Sequence, residues 1–184
     1  MTTFDPNAAA GAGIFGLPHT EEQAALVYLP VPWEATTSYG GGTSKAPAAI
    51  LKASQQVDLF DFDVLKPYEA GLYMRRESLQ VKQWNKQAKA AAQKIIKAGG
   101  AVGKNKTLLS AQKLVNVLSS RLNDWVYKET ANLLDSGKIV GLLGGDHSTP
   151  YGSIKAAAER RPGMGLLHFD DHHALRVAYE GFTP

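Results

Sequence analysis

The chain has no cysteine, and that absence removes more possibilities than any residue it contains. A disulfide framework, a thiolate nucleophile and a sulfur-ligated zinc site are all excluded. Aromatic residues are sparse at 9%, and no apolar run reaches the ~20 residues that a membrane-spanning helix needs. Residues 1–16 lack a basic leader followed by an apolar stretch, so a cytoplasmic protein with no membrane partner is expected. Charge of one sign is not concentrated either. The net charge of +3 and pI near 9.0 come from scattered lysines such as Lys82, Lys86, Lys89, Lys94 and Lys97, which read as a solvated helix face rather than a nucleic-acid surface.

What is present is enough for one domain: 184 residues, 44% of them hydrophobic, with no composition shift to suggest a second. Residues 1–23 are rich in Ala, Gly, Pro and Thr, which predicts an irregular arm outside the core, with the domain proper over 24–184. A short buried strand is expected over 24–29. It is followed by a turn-forming loop over 31–47 that holds three glycines, Gly40 to Gly42. Pro47 suits the first turn of a helix reaching about Val57. The alternation of acidic and apolar residues over 58–63 suggests a strand or extended edge. Helical periodicity marks 79–97 and 107–136, the latter with Leu109, Leu114, Leu118, Leu122, Trp125 and Val126 as a packing stripe. An apolar strand over 139–143, a helix over 150–161 and a second apolar strand over 164–169 complete the pattern. Strand, helix, strand at this spacing implies parallel pairing in an α/β domain, with ligand sites at the carboxyl ends of the strands.

Both chemically informative motifs fall at those ends. Four of the five histidines, His147, His168, His172 and His173, lie close together with Asp146, Asp170 and Asp171. In Gly144-Gly145-Asp146-His147-Ser148 the glycines let the backbone turn sharply beside a ligand while the imidazole is presented at a strand end. In the second motif, His168 to Arg176, strand alternation would put Asp170 and His172 on one face, able to share a metal. Carboxylate and imidazole donors without sulfur favour manganese or a similar ion over structural zinc. Asp146 is expected to orient its surroundings by hydrogen bonding, and His168 to be packed within its strand. Trp33, Glu34 and Tyr39 are candidates for the rim of a substrate entrance.

GGDHS followed by an HFDxHxx(L)R segment resembles the signature of the ureohydrolases, the arginase and agmatinase superfamily. The resemblance runs over roughly residues 25–184 and includes Pro32, the Gly40 to Gly42 run and Pro47 in the N-terminal loop. It implies a three-layer α/β sandwich with a mainly parallel sheet, here only in part. It further implies metal ligands at His147, Asp170 and His172, with two manganese ions bridging a hydroxide nucleophile. The reaction would be hydrolysis of a guanidino or amidino C–N bond of a small cationic substrate. A parallel sheet present only in part would leave an apolar edge to be covered, so a homo-oligomer is expected. Two positions depart from the family's Asp-Ala-His-x-Asp pattern, since Asp171 stands where the alanine should be and Ala174 where the second aspartate should be. A non-catalytic protein that keeps the scaffold with an incomplete metal site is therefore the alternative expectation. A phosphate-binding role for the Gly40 to Gly42 run is disfavoured, because the spacing of a phosphate loop is missing.

Overall fold

The computed structural model describes residues 11–37, 39–170, 172 and 181–183. Its centre is a three-stranded parallel sheet in the order β2-β1-β3, with β1 at Leu26–Pro30, β2 at Leu72–Met74 and β3 at Ile139–Leu143. The helices are α1 (Ala46–Ser54), α2 (Leu79–Lys97), α3 (Lys106–Asp135) and α4 (Tyr151–Arg160). Among the described residues no helix is long and apolar enough to cross a membrane.

Alternation along β1 decides the layering. Val27 and Leu29 are buried on one face. Val27 lies in register with Tyr73 of β2 and Val140 of β3, and the three pack with Leu133 of α3. Leu29, with Val31 and Leu142, packs against Leu118, Leu122 and Val126 of α3 and Val81 and Ala88 of α2. Tyr28 points to the other face, where its ring meets Phe15 edge-on at 6.2 Å. Phe15 N donates to Ser54 Oγ at the end of α1, so α1 and the segment around Phe15 cover that side. The result is the α/β three-layer arrangement expected from the sequence.

Helix ends follow local chemistry. Ser78 caps α2 through Val81 N, and Asn105 caps α3 through the N–H groups of Thr107 and Leu108. The chain opens α1 with Pro47 in its first turn.

Three expectations fail, and one element, β2, was not foreseen. Residues 164–169 form no strand and are exposed; an apolar run alone does not specify a strand, because pairing is decided by tertiary context. Residues 58–63 form no strand: Asp58 Oδ1 accepts from Phe60 N, and Asp61 Oδ1 from Asp63 N and Val64 N. These short side chains capture backbone donors that a ladder would need. Strand β2 is too short to have shown a period. Finally, Ile14 and Leu17 are buried at 1% and 2% exposure, so the region before β1 contributes to the core although its backbone is mostly irregular.

Candidate metal centre

The site begins where β1 and β3 end side by side. Val31 N donates to Leu143 O at 2.8 Å, and two residues further Asp146 N donates to Trp33 O, also at 2.8 Å. This stitching brings the loops after the two strands into backbone contact. It requires glycine at 145, which has φ +59°, and where a Cβ would stand 2.0 Å from Trp33 O. At Gly144 a Cβ would meet Thr149 Oγ1 at 2.4 Å.

Asp146 secures the following turn. Its Oδ1 accepts from Ser148 N at 3.1 Å and Ser148 Oγ at 2.5 Å, while its carbonyl accepts from Thr149 Oγ1 at 2.9 Å. Its Oδ2 is buried with no hydrogen-bond partner among the described residues. Burial pushes this carboxyl above the usual range, against the pull of the Ser148 hydroxyl and N–H.

His147 is thereby presented outward, with Nδ1 2.7 Å from Asp170 Oδ2. The Asp170 side chain is 3% exposed and gathers two more imidazoles: His168 Nε2 lies 3.6 Å from Oδ2, and His172 Nδ1 3.2 Å from Oδ1. Asp170 Oδ1 also accepts from His172 N at 2.7 Å. That N–H, opposed by desolvation and helped by the imidazoles of His172, His147 and His168, holds the carboxyl below its ordinary range. No donor is aligned on Asp170 Oδ2 despite the short approach of His147.

The structure thus brings His147, Asp170 and His172 together, but by a different route from the one the sequence suggests. Asp170 and His172 meet through a local turn in which a side-chain oxygen binds the backbone two residues on, not through the pleat of a strand. His168 is not packed; its side chain is 47% exposed and belongs to the same cluster. Asp171, His173 and Ala174 lie outside the described residues.

The N-terminal loop also differs. Trp33 is 1% exposed and lies in the core, so it lines no entrance. Glu34, 4% exposed, is an internal pin. Its Oε2 accepts from Gly42 N at 2.6 Å, Ser44 N at 3.0 Å and Thr43 Oγ1 at 3.1 Å, and its Oε1 pairs with Lys89. Burial raises this carboxyl, but Lys89 and the loop donors outweigh it and bring the pKa down to about 2. One reading is corrected by this, since Lys89 is an ion-pair partner and not simply part of a solvated face. Gly42 and Ser44 turn their N–H groups to a carboxylate of their own chain, in keeping with the disfavoured phosphate role. Tyr39 remains at the surface, 97% exposed.

The donor types around Asp170, imidazole nitrogens and carboxylate oxygens, suit a divalent ion such as manganese, and the buried Oδ2 atoms of Asp146 and Asp170, without hydrogen-bond partners among the described residues, are acceptors a cation could use. Even so, among the described residues no three His, Asp or Glu side chains are arranged to hold an ion. The fit is in chemistry and in pairwise approach, and among the described residues the ligand set is incomplete.

Residues 24–183 match the Arginase family, and the chain belongs to it. It is 27% identical over 179 residues, 97% of its length, to an agmatinase of Bacillus anthracis, of which it covers 50%. It is also 27% identical to an N(1)-aminopropylagmatine ureohydrolase of Thermus thermophilus, over 91% of this chain and 46% of that protein. A shorter stretch of 40 residues is 48% identical to a formimidoylglutamase of Halalkalibacterium halodurans. The chain spans about half the length of the curated relatives it matches. No solved structure matches it.

Proposed function

We propose that the chain acts as a manganese-dependent amidinohydrolase, cleaving a guanidino or amidino C–N bond of a small cationic substrate with release of urea. His147, Asp170 and His172 would hold the metal. The observation that carries this reading is the convergence of imidazoles on the buried Asp170 carboxylate, beyond the strand ends, in a chain of the arginase family. Relatives named for agmatine and aminopropylagmatine favour a guanidino amine as substrate. A cytoplasmic location belongs to the same proposal, as does a partial arginase-like α/β domain over 24–184.

Bound manganese would supply Lewis-acid activation, lowering the pKa of water far enough for attack on a guanidinium carbon at neutral pH. The residues of the chain have distinct tasks. Asp170, held anionic by the His172 N–H, offers a carboxylate with one oxygen unaligned to any donor. Asp146 fixes the loop that presents His147, and Gly145 lets that loop lie against Trp33 O. Glu34 holds the Gly40 to Gly42 loop in place through Gly42 and Ser44.

The second reading, a scaffold without catalysis, is favoured by Ala174 in place of the family's aspartate and by the incomplete ligand set among the described residues. Urea release from a panel of guanidino substrates at saturating manganese separates the two. Product formation that requires manganese supports the hydrolase. Its absence with every substrate leaves the scaffold.

A further inference from the structure

The buried stripe of α2 has one polar member. Val81, Ala88, Ala92 and Ile95 recur at helical spacing and are buried. Asn85 stands on the same face, four residues after Val81 and three before Ala88, where an apolar side chain would continue the stripe. Its Oδ1 instead accepts from Glu34 N at 2.8 Å. Lys89, one turn further along α2, pairs with the Glu34 carboxylate. The helix therefore grips Glu34 by main chain and by side chain.

The main-chain grip matters because of the group it holds. Glu34 N and Trp33 O are the two ends of one peptide unit, which is planar and keeps its N–H and C=O pointing in opposite directions. Trp33 and Glu34 are 1% and 4% exposed, so both ends need partners within the protein. The N–H end has Asn85. The C=O end accepts from Asp146 N at 2.8 Å, in the loop that presents His147.

Holding one end of this unit sets the aim of the other. The ladder between β1 and β3 stops at Pro30 and Leu143, so beyond it the 33–34 peptide is oriented by these two bonds. The loop after β3 tolerates little error in that aim, since a Cβ on Gly145 would stand 2.0 Å from Trp33 O.

We infer that Asn85 is a positioning residue for the metal centre, setting the place of the loop that carries His147 through the 33–34 peptide. It touches neither metal nor substrate and acts only through Trp33 O and Asp146 N. The role rests on the reading of His147 as a metal ligand, whereas the relay of hydrogen bonds is measurable without metal.

The test pairs amide exchange of Glu34 and Asp146 in the metal-free full chain with manganese affinity by calorimetric titration. Three proteins are compared: wild type, Asn85→Leu, which removes the acceptor, and Asn85→Asp, which keeps it. Both amides are expected to be protected in wild type. In Asn85→Leu they should exchange at least about fivefold faster, the factor for one hydrogen bond of ordinary strength. Exchange of Ile139 N, bonded to Ala25 O at the far end of the sheet, should stay as in wild type. Manganese should bind about tenfold more weakly, the lower end for losing a group that orients a ligand. Asn85→Asp should restore protection at both amides. Exchange of Asp146 that Asn85→Leu leaves unchanged, or that Asn85→Asp does not restore, overturns the relay. Released protection with wild-type manganese affinity overturns the positioning role and leaves Asn85 a structural residue. A wild type that binds no manganese, with exchange responding as expected, refutes the hydrolase reading and the positioning role while the relay stands. Fast exchange of either amide in wild type overturns the inference without any variant.

Discussion

Asp170 is the residue on which the site depends, because every described histidine of the second half of the chain approaches it. Asp170→Asn keeps the shape and removes the charge. It should weaken manganese binding by at least about 100-fold, the upper range for losing an outer partner of a metal ligand, as read by calorimetric titration. Glu34 is the second residue of consequence, and its effect is on stability. Removing it leaves Lys89 and the Gly42 and Ser44 donors without their acceptor, so Glu34→Ala should cost about 3 kcal/mol in chemical denaturation. Its pH dependence has a definite sign. The folded pKa of about 2 lies below the ordinary 4.5, so the stabilisation is complete above pH 4.5 and is lost as pH falls toward 2. In Glu34→Ala that part of the acid-induced loss should be missing.

At the scale of elements, the closest joint is between α3 and α4. A Cβ on Gly152 would lie 2.3 Å from Asn123 O and 2.7 Å from Tyr127 N, both main-chain atoms of α3. Gly152→Ala should therefore destabilise by about 1–3 kcal/mol despite the better helix propensity of alanine, measurable as a shift in denaturation midpoint. The helices themselves were legible in the sequence because their signals are local. Residues 79–97 and 139–143 form the expected elements at the expected bounds, marked by periodicity in one case and by an apolar run closed by glycines in the other. Residues 164–169 carry the same apolar signal as β3 and form no strand, since pairing depends on a partner that sequence pattern does not record. Residues 58–63 imitate strand alternation with aspartates that bind their own turns. The approach of His147 and His172 to Asp170 was legible from the clustering of histidines and aspartates in the sequence, whereas the turn that joins Asp170 to His172 was not. Glu34 was visible only as a loop acid, because its partner Lys89 lies 55 positions away.

For the whole molecule, the sheet places two loops at one end and the helices α2 to α4 behind them, so an ion bound as proposed would couple to fold stability. An ion held at 100 times its dissociation constant adds about 2.7 kcal/mol to a native state that alone binds it. Chelation should then lower the melting temperature of the wild-type chain and leave that of Asp170→Asn unchanged. If the chain is a scaffold without a metal, both proteins melt alike with and without chelator.

The most direct test of the hydrolase reading is the manganese content of the purified, dialysed chain, measured by elemental analysis beside a His172→Ala variant. Manganese retained near one or two ions per chain, and lost in the variant, is the predicted result. Well under one ion per chain, indifferent to the substitution, would contradict the assignment of His147, Asp170 and His172 as ligands.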